Sequence, residues 1–198
     1  MKNALVIVAH PDDETIWMGG TILKNKNWKW TILSLCRKND ADREPKFMEV
    51  CSFYGAEGII SDLDDEKLKP LQVNEVIKKI KQNLKKINYN YIFSHGENGE
   101  YGHLRHKEVH QAVKQMAENK ELKCDRIYFF SYVPGEKTAP HDSKLKIPVP
   151  DKDSDLLVEL NESEYNDKIK IITQIYGFRG NIFETLSCNK KEAFSLGI

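Results

Sequence analysis

The segment Ala9-His10-Pro11-Asp12-Asp13-Glu14 sets a histidine and two aspartates side by side, directly after the apolar run Leu5-Val6-Ile7-Val8. Such a run reads as a strand buried on both faces, and Pro-Asp-Asp-Glu suits a helix start. His10, Asp12 and Asp13 therefore stand at the carboxyl end of a strand, the edge where open α/β sheets place their chemistry. Far downstream, Gly102-His103-Leu104-Arg105-His106 supplies two more histidines. Imidazole with carboxylate oxygen suits Zn2+ or Fe2+, and three protein ligands leave a position open for water. Together the clusters read as a mononuclear metal site, with a hydrolase as the leading interpretation. His10 and Asp13 can both point into one crevice. His103 and His106, at i and i+3, face the same side of a helix. One of them can bind metal while the other faces substrate, and His106 is the natural third ligand.

The elements that must bring these clusters together alternate along the chain. Strands are expected at residues 4–8, 28–36, 58–61, 91–94, 126–132 and 156–160. Helices are expected at 14–26, 42–54, 71–87, 104–118 and 162–176. This β-α alternation implies a Rossmann-like three-layer α/β/α fold with a mostly parallel sheet. A strand order of 3-2-1-4-5 sets the first and fourth strands side by side at the topological switch. His10 ends the first; His95, Glu97, His103 and His106 follow the fourth. Residues 134–153, with four prolines, read as one long irregular stretch, either a substrate-facing loop or a surface excursion.

At 198 residues the chain reads as one domain, 1–198. Lys plus Arg and Asp plus Glu both number 30, a balance that argues against a nucleic-acid binder. The four cysteines, Cys36, Cys51, Cys124 and Cys188, form no CxxC pair and read as small core residues. The opening apolar run is too short for a secretory core or a membrane span, so a cytoplasmic protein without an integral membrane segment is expected. A homo-oligomer is compatible with the sequence but not specified by it.

AHPDDE, the following Gly19-Gly20-Thr21-Ile22-Leu23 and the block Gly99-Glu100-Tyr101-Gly102-His103-Leu104-Arg105-His106 resemble the LmbE/PIG-L family of metal-dependent de-N-acetylases. The resemblance runs from about Leu5 to Val113, with a weaker match over the helix from Arg43 to Gly55. It implies removal of an acetyl group from an N-acetylglucosamine-type small-molecule substrate on a Rossmann-like scaffold. Carried over by position, His10, Asp13 and His106 match the metal ligands, for Zn2+ or Fe2+. Asp12 matches the general base, and His103 matches the residue that assists the tetrahedral intermediate and protonates the leaving amine. Arg43 matches a substrate contact; Tyr101, beside His103, and His95, at the same sheet edge, are further candidates. The family often carries HxDH, whose aspartate can orient the first histidine. Here that position is Arg105, with Glu97, Glu100 or Glu108 as substitutes.

Other readings remain. A metal-dependent phosphoesterase also uses His and Asp clusters, but two-metal sites usually need more carboxylates. A non-catalytic sugar- or nucleotide-binding Rossmann domain lacks support, since no GxGxxG follows the first strand. His110, one helical turn past His106, reads as a helix-face residue and His141 as an ordinary loop histidine. Trp28 and Trp30 read as core.

Overall fold

The computed structural model describes residues 1–197. Its elements, in chain order, begin with β1 (Asn3–Val8), α1 (Asp13–Lys24), β2 (Lys29–Cys36), α2 (Arg43–Tyr54), β3 (Glu57–Leu63) and α3 (Val73–Asn83). β4 (Asn88–Ser94), α4 (Gly99–Gly102), α5 (Leu104–Glu118) and β5 (Lys123–Phe130) complete the alternating part. There follow β6 (Tyr132–Ala139), β7 (Asp142–Pro150), β8 (Leu156–Glu159), α6 (Glu162–Lys170), α7 (Phe183–Leu186) and β9 (Lys191–Leu196).

The main sheet runs β3-β2-β1-β4-β5-β9-β8. Its first five strands pair in parallel in the order expected, while β9 and β8 extend it antiparallel. β1 shows why the sheet is central. Ala4, Val6 and Val8 pack on one face with α1, α2 and residues 171–178; Leu5, Ile7 and Ala9 pack on the other with α3 and α5. All six are fully buried, so an uninterrupted apolar run is what this strand requires.

The five helices expected in the sequence are all present, with ends shifted by a few residues. α2 stops at Gly55, which adopts the left-handed conformation (φ 66°) that glycine tolerates. The helix expected over 162–176 is α6 continued by a π-helical turn at Ile171–Ile175. Residues 134–153 are not irregular: most of them belong to the hairpin β6–β7, whose turn carries the exposed His141. Prolines obscured it in the sequence. In a two-stranded ribbon both strands are edges, so Pro134 opposite Pro148 forfeits little backbone pairing. Trp30 is core as expected, whereas Trp28 lies partly exposed and stacks on Tyr91 with centroids 4.6 Å apart. All four cysteines are free, three of them buried.

α1 is two short helices meeting at Met18 (φ −148°). The break leaves polar groups that the C-terminal part of the chain satisfies. Tyr132 donates its hydroxyl to Trp17 O at 2.7 Å, and Glu192 accepts from the Gly20 and Thr21 amides at 2.8 and 2.7 Å. Lys168, fully buried, neutralises Glu192 at 2.7 Å. Gly20 is closely approached: a Cβ there would stand 2.2 Å from Leu160 Cδ2, so the buried leucine would have to move. No helix among the described residues is long and apolar enough to cross a membrane.

Candidate active site

β1 and β4 are neighbours, with Ile7 opposite Ser94, and their following helices α1 and α5 lie on opposite faces of the sheet. This is the switch point, and it joins the two histidine clusters. His10 follows β1 and His95 follows β4. The turn at Gly99–Gly102 then delivers His103 and His106 at the head of α5. The turn is tight: Glu100 has φ 58°, and a Cβ at Gly96 would stand 2.2 Å from Phe130 O.

His10 Nδ1 lies 3.2 Å from both Asp13 Oδ2 and His106 Nε2, and the latter two atoms are 3.4 Å apart. Each of these side chains is held from behind. Asp13 accepts from the Trp17 indole at 3.0 Å and from the His10 amide at 2.8 Å. His10 Nε2 faces Asp65 Oδ1 at 3.1 Å. His106 Nδ1 faces Glu100 Oε2 at 2.5 Å. Burial opposes ionisation of Asp13, but the charges of His106 and His95 win and hold its carboxyl well below the usual range. Glu100 is fully buried too, yet His95 and His106 lower it to about 2.

Three further donor groups also converge within 4.8 Å: His10 with His103 and His106, His10 with Cys36 and Asp65, and Asp13 with His95 and His106. His95 Nε2 lies 2.9 Å from the Ala9 amide nitrogen and 3.4 Å from Asp13 Oδ2. His95 does not line the cavity as a substrate contact would. It lies fully buried, stacked on His106 at 3.8 Å, with Nδ1 on Glu100. His110 donates Nδ1–H to His95 O at 2.9 Å and so braces the same layer.

A cavity of about 420 Å³ opens over the cluster, lined by His10, Asp12, Asp13, Trp17, Tyr101 and His103. Arg37, Asp40, Arg43, Asp65, Phe183 and Glu184 line it as well. The β6–β7 hairpin contributes nothing to it. Asp12 is held in the left-handed region (φ 120°) and aims at the cavity, where Arg43 Nη1 pairs with its Oδ2 at 2.9 Å. Burial and the adjacent Asp13 charge push the Asp12 carboxyl well above the usual range, and Arg43 opposes them. Arg43 therefore reaches the cavity but is tied to Asp12, with its guanidinium over the Phe178 ring. Behind the same turn, Glu14 accepts the Asp12 amide at 3.1 Å and the Tyr176 hydroxyl at 2.8 Å.

His103 Nδ1 is buried without a partner among the described residues, so none of Glu97, Glu100 and Glu108 orients it. Glu100 serves His95 and His106, and Glu108 is held by Arg105 at 2.6 Å. Burial, then the neighbouring His106 and His10, lower His103 to about 3, so this imidazole is neutral at physiological pH. Asp65 was missed in the sequence. Its signal was the acidic run Asp62 to Glu66, in which β3 ends at the same sheet edge as His10.

Fold and site together define a parallel α/β protein with a histidine–carboxylate centre at its switch point. The chain belongs to the PIG-L family, the GlcNAc-PI de-N-acetylases, whose profile matches residues 5–117. An uncharacterised protein of Acanthamoeba polyphaga mimivirus is 26% identical over 125 residues, 54% of this chain and 54% of that protein. The chain thus spans about half the length of the curated relative it matches. Among solved structures, the N,N'-diacetylchitobiose deacetylase of Pyrococcus horikoshii has a TM-score of 0.66 at 16% identity, over 98% of this chain and 83% of that one. The 4-carboxy-2-hydroxymuconate hydratase of Pseudomonas putida has a TM-score of 0.62 at 14% identity, over 100% and 97%. At these identities the likeness is one of fold.

Proposed function

We propose that this protein is a metal-dependent N-deacetylase acting on an N-acetylglucosamine-type amino sugar or its conjugate, with His10, Asp13 and His106 as ligands of Zn2+ or Fe2+. One observation carries the reading: three ligand atoms, on residues from opposite ends of the matched region, converge to 3.2–3.4 Å from one another. Ligands at 2.0–2.1 Å around a tetrahedral ion stand about 3.3–3.4 Å apart, so these side chains fit such an ion. The backing of His10 by Asp65 and of His106 by Glu100 is the arrangement that fixes ligand imidazoles. The bound ion would polarise the amide carbonyl and make water nucleophilic at neutral pH.

The chain's own groups do the rest. Asp12 faces the cavity outside the ligand set and takes a proton from the attacking water. That water forms a bond to the acyl carbon, the C–N bond breaks, and Asp12 returns the proton to the leaving nitrogen. Acetic acid and the free amine result, and the acid's remaining proton passes to the amine to leave acetate and an ammonium group. Arg43 keeps Asp12 aimed at the cavity. His103, neutral at rest, hydrogen-bonds to the tetrahedral centre and takes part in proton delivery only after accepting a proton in the reaction. Tyr101 and Phe183, with rings 4.7 Å apart, offer an apolar wall beside the acetyl group.

A second reading, addition of water to an unsaturated acid, is raised by the fold shared with the hydratase. The match over residues 5–117 favours the deacetylase. Acetate release from N-acetylglucosamine and its oligomers and conjugates, followed enzymatically for wild type and Asp12→Asn, tests the proposal. The variant is expected to keep its metal and lose about 10²–10⁴-fold in turnover. Undiminished turnover in Asp12→Asn overturns the role given to Asp12.

A further inference from the structure

We infer that Arg105, where the family often carries aspartate, is a positioning residue for the metal centre: it clamps the β3–α3 loop so that Asp65 can orient His10. Arg105, between His103 and His106 in the sequence, has a fully buried side chain. Its guanidinium donates Nε–H to Asp64 O at 2.5 Å, Nη1–H to Lys69 O at 3.0 Å, and Nη2–H to Asp64 Oδ2 at 3.3 Å. Glu108, one helical turn along α5, accepts from Arg105 Nη1 at 2.6 Å and from the Leu71 amide at 2.7 Å. The two side chains thereby grip both ends of the loop. Little else holds it, since residues 66–70 are all exposed.

The residue next to the gripped Asp64 is Asp65. It divides its carboxylate between His10 Nε2 at 3.1 Å and Arg37 Nη2 at 2.9 Å. His10 Nδ1 is left to face Asp13 and His106. The path therefore runs from Arg105 through the Asp64 backbone to Asp65, and from there to the far nitrogen of His10. A planar fork with several donors suits this task, because one lysine ammonium cannot serve acceptors at both ends of a loop. The departure from HxDH thus moves an orienting carboxylate from the helix to the loop, and from His103 to His10.

The inference rests on His10 being a metal ligand, and the test separates the two claims. Zn2+ affinity is measured by competition with a chromophoric chelator for wild type, Arg105→Met, Asp65→Asn and the double variant, with thermal unfolding recorded in parallel. Each single change is expected to weaken binding by about 10–100-fold, the usual effect of removing a partner behind a ligand. The double variant is expected to bind no more weakly than Asp65→Asn alone, because both act through one path. Losses that add, or an Arg105→Met or Asp65→Asn variant with wild-type affinity, overturn the inference. Should Arg105→Met fail to fold, Arg105→Lys replaces it in the same cycle under the same criteria. A wild type that binds no Zn2+ refutes the ligand assignment itself.

Discussion

Glu100 Oε2 bridges His95 and His106, at 2.9 Å from one Nδ1 and 2.5 Å from the other. One buried carboxylate thus fixes two stacked imidazoles, and His106 turns its free nitrogen toward His10 and Asp13. Glu100→Gln removes the charge that holds His106 while keeping the shape. Zn2+ affinity is expected to fall by about 10–100-fold, read by chelator competition. Wild-type affinity in that variant contradicts the role.

His103 is expected to stay neutral across the physiological range. Its folded value of about 3 lies below the ordinary 6.5, so the native state binds fewer protons than the unfolded chain between those limits. The resulting stability is present above pH 6.5 and is lost as pH falls toward 3. NMR titration of the imidazole from pH 7.5 to 5 should show no midpoint for His103. A midpoint near the ordinary value would contradict this environment.

Lys168 and Glu192 tie the C-terminal part of the chain to the break in α1. Lys168→Met leaves Glu192 buried without a cation and is expected to cost about 3–5 kcal/mol of stability. Urea unfolding measures it. A loss near zero means that Glu192 is satisfied by the Gly20 and Thr21 donors alone.

Much of this was legible in the sequence, for identifiable reasons. The buried run at β1 and the helical stripes gave the β-α alternation, and the order 3-2-1-4-5 that such a fold suggests, found in the sheet, brings His10 beside the segment bearing His103 and His106. The support of those residues was harder to read. Asp65 and Glu100 act through positions that only the folded loops define, and Glu100 does so from a left-handed backbone conformation. The β6–β7 hairpin was hidden by prolines that edge strands accept. His95 sits at the expected edge but is fully buried, stacked on His106 with its Nδ1 on Glu100.

His10, Asp13 and His106 are proposed to hold one ion. Elemental analysis of wild type and His106→Ala, purified identically and reconstituted with Zn2+ or Fe2+, tests it without choosing a substrate. About one ion per chain is expected in wild type and a large deficit in the variant. No metal in wild type after reconstitution, or equal metal in both proteins, would contradict it.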